Sequence, residues 1–165
     1  MPTECISWLH VDGRSIRDIA ASDSVLFLWT TSPMLPDALR VIAAWGFKYR
    51  SQFIWDKKRQ YIGNYNGVRH EHLLIAMQGR CTPVEDYFEN SFQDSIVEIE
   101  RTAHSKKPTE FYEIIESMYP IGPYLELFAR NTHDGWNSWG NEVDENEAKE
   151  LLKEQEAEQL LAVAN

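Results

Sequence analysis

Two uninterrupted apolar runs, Val25-Leu-Phe-Leu-Trp29 and Leu73-Leu-Ile-Ala-Met77, constrain this chain more than any other feature. Each is far shorter than the roughly 20 apolar residues that cross a bilayer, so no membrane partner is expected. Bounded by polar and turn residues, each reads as a strand buried on both faces. Tyr124-Leu-Glu-Leu-Phe128 reads as a further strand. Between these runs the spacing turns helical. Ser32-Pro33 and Pro36 supply an N-cap and first-turn prolines for a helix carrying Leu35, Leu39, Ile42 and Trp45, with Gly46 as its stop. Phe111, Ile114, Ile115 and Met118 form a second helical stripe after Pro108, broken by Pro120-Ile-Gly-Pro123. Strands alternating with helices predict an α/β sheet with covered faces.

The remaining segments are read more coarsely. Thr3 and Glu4 look like a helix start, Asp12-Gly13 like a turn, and Ile16 and Ile19 like a short amphipathic segment. Phe47 to Trp55 is a strand, followed by a long, mobile loop from Lys57 to Val68 that holds Gly63-Asn-Tyr-Asn-Gly67. Cys81 to Ser95 has no clear period, Ile96 to Ile99 is a short strand, and Ala129 to Asn141 is a polar segment. From Glu145 a tail rich in Glu, Lys, Leu and Ala predicts a solvated helix, whose leucines pack equally well on a partner or on the domain. A length of 165 residues makes one domain the simplest expectation, and six Trp, seven Tyr and seven Phe exclude a disordered chain. Two cysteines, Cys5 and Cys81, allow at most one disulfide, and the N-terminus has neither a basic nor an apolar leader region, so a cytoplasmic location is expected.

A net charge of -10 argues against a nucleic-acid partner, but it is unevenly placed. Residues 142 to 165 hold eight acids and two bases. Lys48 to Arg69, by contrast, holds six bases against the single acid Asp56, interleaved with Tyr49, Phe53, Trp55, Tyr61 and Tyr65. Bases among aromatics suit phosphate neutralisation combined with base stacking. The plain alternative is a solvated loop whose aromatics face the core.

Several chemistries fall away. His70, His72 and Cys81 do not form a metal signature, and no metal is expected. No Gly-x-Ser-x-Gly, Walker loop or Gly-x-Gly-x-x-Gly occurs. What remains is an ordered series of short motifs: Leu26-Phe-Leu-Trp29, Trp45-Gly46, Ile54-Trp55-x-Lys57, Glu71-His72, Arg101, Lys107-Pro108, Glu126-Leu-Phe-x-Arg130, Trp136 and Gly140-Asn141. In this order and spacing they resemble the MT-A-seventy (methyltransferase-A seventy-kDa) family of adenine-N6 methyltransferases, over roughly residues 1 to 143.

The resemblance implies a Rossmann-like fold in permuted order, the catalytic strand early and the cofactor strand late, with residues 144–165 as an acidic tail. It implies methyl transfer from S-adenosylmethionine to the 6-amino group of adenine in nucleic acid, DNA in preference to RNA, without metal or covalent intermediate. By resemblance Phe128, Arg130, Asn141 and Glu142 would contact the adenosyl part of the cofactor, and Lys107 would reach the cofactor or substrate near the transfer centre. Lys57, Arg59, Arg101 and Lys106 would serve the nucleic acid. The plain alternatives are a core Phe128 and surface charges at Arg130, Lys107 and Arg101.

One family motif is missing. Orienting the adenine nitrogen requires an acceptor for its N–H and an aromatic face for the extruded base, and the family supplies both with Asp-Pro-Pro-Trp. The prolines here stand at 2, 33, 36, 83, 108, 120 and 123, none adjacent. Met1-Pro-Thr-Glu4 resembles the family segment just downstream of that motif, so the fold is expected to be incomplete at its N-terminus. Three explanations stand: a methyltransferase truncated before the motif, which is preferred; a strand supplied by another polypeptide; or a non-catalytic, nucleic-acid-binding partner subunit. A missing central strand would leave apolar edges, and predicts a chain that is poorly soluble, homo- or hetero-oligomeric, or rearranged.

Overall fold

The computed structural model describes residues 10–11, 14–62, 65–102 and 106–140, within two compact units, Met1–Pro120 and Ile121–Asn165. The predicted helix start at Thr3, the Asp12-Gly13 turn and the helical tail lie outside the described residues.

The first unit runs β1 (His10–Val11), β2 (Arg14–Ser15), α1 (Ile16–Ile19), β3 (Ser24–Thr30), a 3-10 turn (Ser32–Met34), α2 (Leu35–Ala44), β4 (Lys48–Ile62), β5 (Gly67–Gln78), α3 (Glu85–Asn90), β6 (Ile96–Glu98) and α4 (Glu110–Met118). Apart from the β1-β2 pair, its strands form one mixed sheet in the order β3-β5-β4-β6. β5 is antiparallel to both neighbours, and β6 runs parallel to β4. Among the described residues, apolar β3 pairs on one side only.

The apolar run of β3 pairs along its whole length with β5, from Ser24 opposite Gln78 to Thr30 opposite His72. Pro33 and Pro36 sit in the first turns of their helices as expected, but Ser32 does not cap. Its hydroxyl is drawn to the histidines of β5 instead. Gly46, at φ +90, ends α2, and Phe47 N–H bonds back to Ile42 C=O at 3.0 Å. That six-residue closure places a residue in the left-handed region, where glycine carries no steric penalty.

Cross-strand alternation divides the sheet into two faces. On one, Phe53, Trp55 and Leu73 join Tyr87 of α3, Val97 of β6, and Phe111 and Met118 of α4 in the main core. Trp29 meets Phe111 and Trp55 edge-on, with centroids 4.8 and 6.0 Å away, a geometry that favours the ring quadrupoles. On the other face Leu74 and Ala76 are fully buried, and α2 buries Ala38 and Ile42.

The structure corrects three expectations. The segment Lys57 to Val68 is not a loop: β4 continues to Ile62 and pairs back through Tyr61 opposite Val68, after an irregularity beyond Asp56 where Lys58 takes φ 62. Acids hold its bases in place, Lys58 with Glu98 at 3.7 Å and Arg59 with Glu100 at 2.5 Å. The aperiodic stretch after Cys81 contains α3, whose one buried residue, Tyr87, is too little to make a stripe. The polar segment after Ala129 contains a strand, described below.

Leu74→Ala should lower unfolding free energy by about 3 kcal/mol through lost burial and a residual cavity. Phe88→Ala, at a half-exposed position on α3, should change it by less than about 0.5 kcal/mol. Urea denaturation of both variants checks the pair.

Candidate cofactor and nucleic-acid site

Glu71 is the hub of the first unit's charged chemistry. It lies in β5 directly opposite Trp55, on the core face, and is buried. A carboxylate there requires cations. Lys57 Nζ donates to Oε1 at 2.5 Å, and Lys107 Nζ donates to Oε2. Each ammonium also lies over an indole, Lys57 over Trp55 and Lys107 over Trp29, both 5.1 Å from the centroid, within cation–π range. Burial alone would push the Glu71 carboxyl up, but the hydrogen bonds and charges of the two lysines outweigh it and hold it below the ordinary 4.5. Two cations on one anion, walled by two tryptophans, leave a net positive, aromatic-lined place.

A second polar cluster lies on the opposite face of the same strand. Ser32 Oγ is 3.1 Å from His70 Nε2 and 3.2 Å from His72 Nε2, while His72 Nδ1 is 3.3 Å from Gln52 Oε1. A carbonyl oxygen only accepts, so His72 carries its proton on Nδ1, and its Nε2 accepts from the Ser32 hydroxyl. Ser32 Oγ in turn accepts from His70 Nε2–H. With His72 neutral the bonds run in that direction; a cationic His72 would instead donate from Nε2 to Ser32 and reverse them. Burial, then the neighbouring His70, holds His72 below its ordinary 6.5. Nearby, Asp56 accepts from Lys58 N–H at 2.9 Å and from Arg69.

The second unit carries β7 (Tyr124–Leu127) and β8 (Trp136–Trp139), a parallel pair. Tyr124 stacks on Trp136 with centroids 4.8 Å apart. Just beyond the carboxyl end of β7, Phe128 takes φ 60 and is 55% exposed, its ring edge-on to Trp139 at 6.0 Å. This excludes the core reading of Phe128. Gly140 follows β8 so closely against Ala129 that a Cβ would stand 2.1 Å from Ala129 O. Among the described residues the buried Ser138 hydroxyl has no partner. An exposed ring in a left-handed backbone, next to an exposed Arg130 at the carboxyl ends of parallel strands, fits the flat base and charged end of an adenosyl cofactor.

The predicted site residues therefore separate. Lys57 and Lys107 converge on Glu71 in the first unit; Arg59 is an exposed partner of Glu100; Arg101 lies half-buried beyond β6; and Lys106 is exposed. Phe128 and Arg130 belong to the second unit, while Asn141 and Glu142 lie outside the described residues. Sequence reasoning missed Glu71 as the hub, along with the roles of Trp29, Trp55 and Ser32. A glutamate two residues before the apolar run, in phase with Leu73 on the core face, was the available signal, because burial forces it to find cations. Among the described residues no group of three or more His, Cys, Asp or Glu could hold a metal.

The MT-A70 family model matches residues 1–142. The chain belongs to the MT-A70 family. Among its relatives is the Type II methyltransferase M.MunI of a Mycoplasma species, 35% identical over 132 residues, which are 79% of this chain and 55% of that protein. The N(6)-adenosine-methyltransferase MT-A70-like protein of Arabidopsis thaliana is 32% identical over 74% of this chain and 19% of its own length. The human N(6)-adenine-specific methyltransferase METTL4 is 29% identical over 84% of this chain and 32% of its own. The chain thus spans about half, or less, of the length of these relatives. The α/β fold is of the methyltransferase kind, and the family's chemistry is methylation of adenine N6.

Both polar clusters should appear in the pH dependence of stability. His72 and Glu71 each have a folded-state pKa below the ordinary one, so the unfolded chain binds these protons first. Their contributions are complete above about 6.5 and 4.5 respectively and fall away as pH drops through the lower folded values. His72→Gln should remove the first acid-side loss and Glu71→Gln the second, read from urea midpoints across pH. At neutral pH Glu71→Ala should cost about 3 kcal/mol by leaving two half-buried ammoniums uncompensated.

Proposed function

We propose that this chain belongs to an S-adenosylmethionine-dependent adenine-N6 methyltransferase acting on nucleic acid, DNA in preference to RNA. The observation that carries the reading is the Lys57–Glu71–Lys107 cluster between Trp29 and Trp55, within a chain of the MT-A70 family. Glu71 fixes two ammoniums that would otherwise sweep wide arcs; Trp55 is buried in the core, so of the two indoles the half-buried Trp29 is the one open to an unstacked base. The preference for DNA is supported by the higher identity to the Type II methyltransferase, 35%, than to the adenosine methyltransferases, 32% and below.

Bound S-adenosylmethionine supplies an electrophilic methyl group to the adenine amine. In the second unit Phe128 would stack on its adenine, and Arg130, Asn141 and Glu142 would contact the rest of its adenosyl part. In the first unit Lys107 would hold negative charge close to the transfer centre. Lys57, Arg59, Arg101 and Lys106 would steady the nucleic acid. The family's Asp-Pro-Pro-Trp, whose acceptor is expected to orient the amine, is not among these 165 residues. We therefore propose that this chain by itself methylates weakly or not at all.

The rival reading is a nucleic-acid-binding subunit without catalysis. Of the basic aromatic stretch, Phe53 and Trp55 belong to the core while Tyr49 and Tyr65 are exposed, so a stacking surface of reduced extent remains. Calorimetry distinguishes the two. Saturable S-adenosylmethionine binding, weakened about tenfold or more by Phe128→Ala as loss of a stacking ring would do, supports the enzyme. Salt-dependent oligonucleotide binding with no cofactor binding supports the subunit. Methylation assays of this chain, and of a version carrying Asp-Pro-Pro-Trp upstream of Met1, should show activity only in the second. Robust methylation by the chain alone would overturn that part.

A further inference from the structure

From Cys81 to Glu100 the chain holds six acids and no base. Two of them, Glu98 and Glu100, are partnered by Lys58 and Arg59 of β4. The other four, Glu85, Asp86, Glu89 and Asp94, are exposed, and none has an ion pair among the described residues. Among them stand Phe88 and Phe92, 52% and 69% exposed. Their rings lie 5.7 Å apart, and each meets Tyr87, at 5.5 and 5.8 Å. Tyr87 is itself buried in the main core. The two phenylalanines are thus anchored as a fixed aromatic ridge with an acidic rim. Nucleic acid would be repelled by that rim, and so would the acidic tail from Glu142 to Asn165.

The same chain displays the complement. Lys48, Tyr49 and Arg50 at the start of β4 are all exposed, Tyr49 at 43%, and neither cation has an ion pair among the described residues. Arg50 falls at the register shift between Tyr49 and Ser51, where a bulge turns a side chain away from regular alternation. Bases flanking an aromatic ring match acids flanking two aromatic rings, in sign and in the ability of ammonium and guanidinium groups to sit on phenyl faces.

We propose that the Phe88–Phe92 ridge docks on the Lys48-Tyr49-Arg50 patch of a second copy of this chain. The two patches differ, so the contact is head to tail, and every added copy leaves one free ridge and one free basic patch. Association is therefore open-ended unless a ring closes, grows with concentration, and weakens as salt screens the rims.

Sedimentation velocity of the full chain tests this. The weight-average mass should rise with concentration at low salt and fall in about 1 M salt, where the screening length is about 3 Å. Phe88→Ser with Phe92→Ser, and separately Glu85→Lys with Glu89→Lys, should each weaken self-association about tenfold or more. Lys48→Glu with Arg50→Glu should do the same, and mixing the two charge-reversed proteins should restore association. All six side chains are exposed, so circular dichroism should be unchanged; a variant that loses helical signal is set aside in favour of the charge-reversed mixture. A monomer at every concentration would overturn the proposal. So would association indifferent to these substitutions, as pairing through the edge of β3 left unpaired among the described residues would be, or a mixture that fails to recover.

Discussion

The antiparallel ladder between β4 and β5 is the constraint on which the rest of the first unit depends. It sets Phe53 opposite Leu73 and Trp55 opposite Glu71 on one face, and Ile54 opposite His72 on the other. The first set receives α3 and α4 and makes the main core. The second meets the Ser32–Met34 turn through a hydroxyl shared by two histidines. The acidic and imidazole clusters are successive residues of one strand, separated only by the thickness of its backbone. Neither cluster can be formed without placing the other.

This arrangement explains why a carboxylate can stand at the edge of an aromatic core. A buried ion pair is often no better than an apolar substitute for stability, because desolvation offsets attraction. Here one anion answers two cations whose hydrocarbon stems lie along tryptophan rings, so the cost of drying is spread over five side chains. The surplus positive charge is the useful product, because it is held at a fixed position. In the second unit the means are different: a left-handed Phe128 and a glycine pressed against Ala129 shape the chain ends of two parallel strands.

Much of the framework was legible in the sequence. The run at Leu73 is an uninterrupted apolar segment and is largely buried, and the stripe from Phe111 to Met118 has helical spacing, so local pattern and tertiary role agree there. The run at Val25 is a strand as expected but is half-buried rather than buried on both faces. The extent of β4 was not legible. Lys57 to Gln60 carries no alternation, and the partners of its bases, Glu71, Glu98 and Glu100, lie far along the chain. α3 was hidden because a single inward residue makes no period. β8 was hidden by polar neighbours, although Trp136 and Trp139 bracket it. In the candidate site, Lys57 and Lys107 were legible as chemistry-bearing residues through family motifs. Their meeting on Glu71 was not, because it spans 14 residues of sequence on one side and 36 on the other. The same holds for Ser32, whose local context favours a helix cap while a partner 40 residues away takes its hydroxyl.

The alternation along β5 also bears on how this sequence can vary. An added or lost residue between Val68 and Gln78 would invert every side chain beyond it. Imidazoles would turn into the aromatic core, and the glutamate would turn away from both lysines. At the far end of the hairpin, where Tyr65 stands wholly in solvent, a change of length alters no pairing below it. The ladder thus confines insertions and deletions to its tip, and the spacing from His70 to Gln78 should be the least elastic stretch among sequences that keep this fold.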